Sequence, residues 1–196
     1  MKRRFLAIGL ALMAGLGATA QVDLVNPVPQ KVEKTKETTI FKAPETWKIN
    51  TNSKFLEGFI YDELKTASPK IAKKSGFTVT LGVRGDSKVN RYKKEIPTKA
   101  EGYFMKVTKK EVIIAGNDEK GLYYGVQTLL GMMKEGRLET CTITDWPDVP
   151  FRGTVEGFYG TPWSHEARKS QLEFYGSNRM NVYVYCARVN MYIKHG

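Results

Sequence analysis

Apolar residues alternate with polar ones at Phe77, Val79, Leu81 and Val83, separated by Thr78, Thr80 and Gly82. A period of two sends alternate side chains to opposite faces, so this stretch predicts a strand with one buried face. Earlier in the chain, Phe55, Leu56, Phe59, Ile60 and Leu64 recur at helical spacing. That helix is expected to end near Ser68-Pro69, because proline cannot continue it. Short strands are expected at residues 38–42 and 47–49, and a turn at Gly85-Asp86-Ser87 followed by a lysine-rich loop. Tyr103, Met105 and Val107 alternate again, Lys109-Lys110 turns the chain, and Val112-Ile113-Ile114 returns as the second arm of a hairpin. Gly116-Asn117-Asp118 then leads into a second helix. Its apolar stripe is Leu122, Tyr123, Val126, Leu129, Leu130 and Met133, and Gly136 is its expected stop. The methionine and aromatic positions of that stripe read as core, not as a cofactor site. Strand, helix, strand, hairpin and helix in this order predict a small α+β layer, with helices on one face of a mixed sheet.

The pattern breaks at Asp145-Trp146-Pro147-Asp148-Val149-Pro150, where two closely spaced prolines mark a linker. Beyond it, Gly153 to Phe158 predicts a short strand. Ser164 is a good N-cap for a helix with Glu166 in its first turn, running to about Tyr175 and ended by Gly176. Asn181 to Tyr185 predicts a second strand, which completes a βαβ unit.

The chain has 196 residues, 41% hydrophobic, 26% charged and 11% aromatic, which excludes disorder, collagen and disulfide miniproteins. The length is too small for a domain followed by a complete eight-stranded α/β barrel, which alone takes about 250 residues. There are 31 basic and 20 acidic residues. Three of the basic ones, Lys2, Arg3 and Arg4, precede an apolar run from Phe5 to Leu16 and the small-residue site Ala18-Thr19-Ala20. This pattern predicts a secretory signal peptide over residues 1–20 and an exported protein, periplasmic or extracellular, with no membrane segment after cleavage. The run is too short for a comfortable transmembrane span. The other lysines and arginines are dispersed and read as a solvated basic surface, not a nucleic-acid site, although acidic polysaccharides would use the same charges. Export would permit a disulfide between Cys141 and Cys186, whose sequence contexts differ. No Cys/His cluster has zinc spacing.

Two segments carry a resemblance. Glu101-Gly102-Tyr103, Ile114-Ala115-Gly116 and Gly121-Leu122-Tyr123-Tyr124-Gly125-Val126-Gln127-Thr128-Leu129 together resemble the small N-terminal domain that precedes the barrel in bacterial β-hexosaminidases. Arg152-Gly153-Thr154-Val155-Glu156-Gly157-Phe158-Tyr159-Gly160-Thr161-Pro162-Trp163 resembles the opening barrel strand of family 84 glycoside hydrolases, the O-GlcNAcase and hyaluronidase-like β-N-acetylglucosaminidases. Met180 to Tyr185 is similar to their second barrel strand. The resemblance covers roughly residues 25–185. It implies an α/β fold: a small α+β hexosaminidase-type domain at 22–147, then the start of a TIM (β/α)8 barrel at 150–196, about two strands long.

In such a barrel, ligands meet the carboxyl ends of the strands. Gly157-Phe158-Tyr159-Gly160 falls at that position for the first strand. A glycine lets backbone groups approach a sugar hydroxyl, and an aromatic offers a wall to the sugar. Spacing alone also admits a tight turn with packed aromatics; the resemblance implies sugar contacts at Gly157 and Tyr159. Trp163 reads as a packing residue, His165 as exposed at the helix start, and Glu156 as a structural carboxylate. The family works by substrate assistance. The sugar's acetamido oxygen attacks the anomeric carbon, one carboxylate orients the acetamido group, and a second serves as acid and then base. Those carboxylates are adjacent aspartates after barrel strand 4. No Asp or Glu occurs here beyond Glu173, so no residue of this chain is assigned a catalytic role. After the second strand the family reads Gly-Pro-Lys-Asp-Asp-Pro-Tyr, whereas this chain has Cys186-Ala187-Arg188-Val189-Asn190-Met191-Tyr192. Arg188 falls at the sugar-lining lysine and is not a neutral replacement for it. The lost pattern reads as a shifted frame or as a short variant. The implied function is removal of β-linked N-acetylglucosamine from a glycan or glycoprotein, with no metal or organic cofactor and no nucleic-acid partner. A non-catalytic glycan- or protein-binding module and an inert fragment are the alternatives.

Overall fold

A computed structural model describes residues 21–34, 36–64, 70–157 and 163–185. In chain order it contains β1 (Lys31–Glu33), β2 (Ile40–Lys42), β3 (Thr46–Asn50), α1 (Lys54–Leu64), β4 (Lys70–Ile71), β5 (Thr78–Val83), β6 (Tyr103–Val107) and β7 (Glu111–Gly116). There follow α2 (Glu119–Met132), β8 (Arg137–Glu139), β9 (Cys141–Asp145), β10 (Gly153–Glu156), α3 (His165–Ser177) and β11 (Val182–Tyr185).

Seven strands form one mixed sheet in the order β1-β9-β6-β7-β5-β3-β4. β4, β3, β5 and β7 run parallel to one another, while β6 pairs antiparallel with β7 and β9, and β9 with β1. Both helices of this unit lie on one face. Leu56 and Ile60 of α1, and Leu122, Val126, Leu129 and Met132 of α2, join Val79, Leu81, Met105, Val112, Ile114 and Ile143 in one buried cluster. Each fully buried aliphatic side chain of this kind contributes roughly 1.5–3 kcal/mol. The opposite face carries a smaller cluster of Phe104, Ile113 and Ala115 under Val89 and Ile96. The lysine-rich loop after β5 is therefore a cover as well as a connection. The single buried face expected for β5 is also corrected, since Thr80 and Gly82 are buried along with Val79 and Leu81. A parallel strand in the middle of a sheet is enclosed on both sides.

Asp118 caps α2: its Oδ1 accepts from Gly121 N at 2.8 Å, and its Oδ2 accepts from Glu101 N at 2.7 Å. The helix continues into a 3-10 turn, Met133–Glu135, and stops at Gly136, whose φ is 67°. The expected end of α1 at Ser68-Pro69 lies outside the described residues. β1, β4, β8 and β9 had no counterpart in the sequence pattern. α3 does not stop at Gly176 but runs to Ser177, with Asn178 as its C-cap.

Candidate functional site

β10 and β11 run parallel, with Gly153 opposite Val182 and Glu156 opposite Tyr185. They come so close at their amino ends that a side chain on Gly153 would lie 1.7 Å from the Val182 carbonyl oxygen. Only glycine fits there. α3 connects them, giving the expected strand–helix–strand unit. Strand polarity places Gly157 and Tyr185 together at the carboxyl end, the end at which ligands of α/β folds bind.

The side chains on the helix side of this end are tied together. Glu156 is 2% exposed. Its Oε2 accepts from Arg168 Nε at 2.8 Å and its Oε1 from Arg168 Nη2 at 2.7 Å. The Tyr183 hydroxyl donates to the same carboxylate. The Arg168 guanidinium, helped by Tyr183 and the Trp163 backbone, outweighs burial and holds the Glu156 carboxyl down to about 2. The hydrogen bond to Glu156 pushes the Tyr183 phenol up. Arg168 also lies 5.1 Å from the centre of the Tyr185 ring. Glu156 is thus a tether between β10 and α3, in line with its reading as structural.

Gly157 is exposed, and a Cβ added to it would meet nothing within 4 Å among the described residues. Neither packing nor a positive φ among the described residues requires glycine there. Tyr159 and Arg188, the other two residues expected at the sugar, lie outside the described residues, as do Phe158 and Gly160. His165 is exposed, as expected. Trp163 is not a packed residue: it is 40% exposed and contributes its backbone, not its ring, to the Glu156 tether.

The amino end of the same unit is built differently. Arg152, just before β10, donates to Glu101, and Arg179, just before β11, pairs with Asp145. Burial works to raise the Glu101 carboxyl, but hydrogen bonds from Arg152 and Asn181 overcome it and hold the group below its usual range. Sequence reading assigned none of these residues a role, although Glu101 and Arg152 both stand in the segments that carry the family resemblance. A cleft of about 640 Å³ opens at this end, between the first turns of α1 and α2 and Met180-Asn181. It is on the far side of the unit from Gly157. Among the described residues no three His, Cys, Asp or Glu side chains converge as a metal site.

Comparison with known families accounts for most of the chain. Residues 24–146 match the model described as glycosyl hydrolase family 20, domain 2. The chain belongs to this hexosaminidase-type family. Residues 152–195 match the model of the β-N-acetylglucosaminidases. Among solved structures, CpGH84B is 28% identical with a TM-score of 0.69, the match covering 83% of this chain and 29% of that one. CpGH84D is 19% identical, with a TM-score of 0.70 and coverage of 83% and 30%. The family 20 exo-β-N-acetylglucosaminidase from Vibrio harveyi, solved in complex with N-acetylglucosamine, is 16% identical, with a TM-score of 0.62 and coverage of 84% and 25%. The last two likenesses, at these identities, are of fold alone. The hexosaminidase-type chain described here spans about 30% of the length of the family 84 structures it matches.

Proposed function

We propose that this chain is the N-terminal portion of an exported glycoside hydrolase that removes β-linked N-acetylglucosamine by a substrate-assisted retaining mechanism. In this reading residues 1–20 are a cleaved signal, 22–147 the hexosaminidase-type domain and 150–196 the opening of the barrel. The substrate is an N-acetylglucosamine-containing glycan or glycoprotein, and no metal or organic cofactor takes part.

One observation carries the reading. The β-N-acetylglucosaminidase match falls on residues 152–195, and within it Gly157 stands exposed at the carboxyl end of β10 with room beside it. No described residue requires glycine at this position, and a ligand that approaches its backbone accounts for it. Tyr159 and Arg188 complete the proposed sugar contacts. The chemistry itself is assigned to carboxylates outside these residues. Glu156 is held at about 2, so at neutral pH it has almost no proton to give. A general acid works best with a pKa near the working pH.

The test has two arms. The chain from Gln21 is assayed with a chromogenic aryl β-N-acetylglucosaminide, and no turnover above buffer is expected. The nucleotide sequence past the codon for Gly196 is expected to encode, in some frame, the remaining strands and an Asp-Asp pair. Turnover that disappears in Glu156→Gln would overturn the assignment of the chemistry, and the absence of any downstream barrel would overturn the reading as a glycosidase portion.

A further inference from the structure

The βαβ unit has little of its own to fold around. β10 and β11 are four residues each. Parallel strands are normally covered on both faces, yet Val155 is 65% exposed and Val184 is 44% exposed. Tyr175 is the one buried residue of α3, while Leu172 and Phe174 face solvent. Two strands alone are marginal in water.

What supports the unit is the first unit, and among the described residues the support lies at one end. Arg152 Nη2 donates to Glu101 Oε2 at 2.5 Å, and Asn181 Nδ2 donates to Glu101 Oε1 at 2.9 Å. One carboxylate therefore joins the residue ahead of β10 to the residue ahead of β11. Asn181 Oδ1 also accepts from Arg152 N at 2.9 Å, and Arg152 Nε donates to the Arg179 carbonyl at 2.9 Å. Arg179 reaches into the first unit. It pairs with Asp145, donates to Thr128 Oγ1 at 2.9 Å and lies 5.9 Å from the centre of the Tyr103 ring.

The backbone is bent to make these contacts. Glu101 has φ 61° and Arg179 has φ 59°, and they are the described non-glycine residues with positive φ. They sit on opposite sides of the same interface. Asp118, the α2 cap, fixes Glu101 through its backbone N–H. Such conformations persist where surrounding structure over-determines them, and they mark places with a task.

We propose that the first unit is a folding template for the second: it grips the amino ends of β10 and β11, sets them side by side and holds the βαβ unit folded without any further strand. Among the described residues the grip lies at the amino end alone, and the carboxyl end, with Gly157, is outside it. The role does not depend on the glycosidase reading and would stand if that reading fell.

Hydrogen exchange on the chain from Gln21 tests it. Amides of residues 153–156 and 182–185 are expected to be protected. In the double variant Glu101→Gln, Arg179→Gln they are expected to exchange roughly 100-fold faster, as removal of partners from buried ion pairs implies, while residues 112–115 of β7 keep their protection. Asn181→Ala is the milder variant, expected to speed exchange in the same two strands by roughly 10-fold and to leave β7 unchanged. It decides the matter if the double variant loses β7 as well. Exchange of β10 and β11 at unfolded rates in the parent chain, or protection unchanged in these variants, would overturn the proposal.

Discussion

Glu156 and Arg168 meet in two parallel hydrogen bonds, Nε to Oε2 at 2.8 Å and Nη2 to Oε1 at 2.7 Å, across the packing of α3 on β10. The fork geometry matches guanidinium to carboxylate and is the strong form of this contact. Its dependence on pH follows from sign. The Glu156 carboxyl falls from an ordinary 4.5 to about 2 in the folded chain. A lowered carboxyl contributes stability above its unfolded value and loses it as the pH falls through the folded one. The βαβ unit is therefore expected to hold steady above pH 5 and to weaken between about 4.5 and 2. In Glu156→Gln that part of the acid loss should vanish, and the neutral-pH baseline should be lower. Exchange of the β10 and β11 amides across this range reads both.

Gly153 and Gly157 bracket the same strand and should respond oppositely to alanine. Gly153→Ala drives a Cβ to 1.7 Å from the Val182 carbonyl oxygen, so β10 and β11 should separate at that end. Gly157→Ala meets no described residue and should leave folding unchanged. On the proposed function it should weaken N-acetylglucosamine binding in any chain that carries the complete barrel. Thermal unfolding of both variants, with sugar titration of the second, separates the two roles.

The large sheet should be sensitive at its centre and tolerant at its polar seam. Ile114 is fully buried, so Ile114→Ala should cost about 3 kcal/mol in urea unfolding. The Tyr103 hydroxyl lies 2.6 Å from Thr128 Oγ1. Tyr103→Phe should cost about 1 kcal/mol, the net value of one such bond, because Thr128 still bonds Tyr124 and Arg179.

Cys141 is a free thiol buried in the sheet, and burial pushes it up to about 12. Thiolate is the reactive form. Alkylation of this residue at pH 8 should therefore be slow in the native chain and should accelerate on adding urea, in step with loss of the β9 amides' protection. Rapid native labelling at Cys141, read by peptide mass, would contradict the buried position.

What the sequence made legible was local. Tyr103 to Val107 and Val112 to Ile114 pair as a hairpin because alternation and a two-lysine turn are near neighbours. The stripe of α2 was readable because it extends over three turns, although it omitted Tyr124 and Met132, which are also buried. β9 was hidden: five residues of Cys-Thr-Ile-Thr-Asp beside a proline-rich linker look like a chain end, and become a strand only between β6 and β1. The pairing of Arg179 with Asp145 links positions 34 apart and has no periodic trace. It exists because two units dock, and docking is not written in a window of neighbours. At the candidate site, motif likeness pointed to Gly157, whereas the bonds that fix Glu156 needed the helix in place.

The edges of the large sheet have a consequence for behaviour in concentrated solution. β1 is three residues long, with Lys31 and Glu33 at the surface, and β4 is two residues long. Strands so short, one of them charged, offer little for another chain to add to. β10 and β11 pair with each other and, among the described residues, with no third strand, and beside them Val155 and Val184 stay uncovered. Light scattering at rising concentration should therefore report growth through this small pair, and Val155→Lys with Val184→Lys should suppress it while the seven-stranded sheet remains inert.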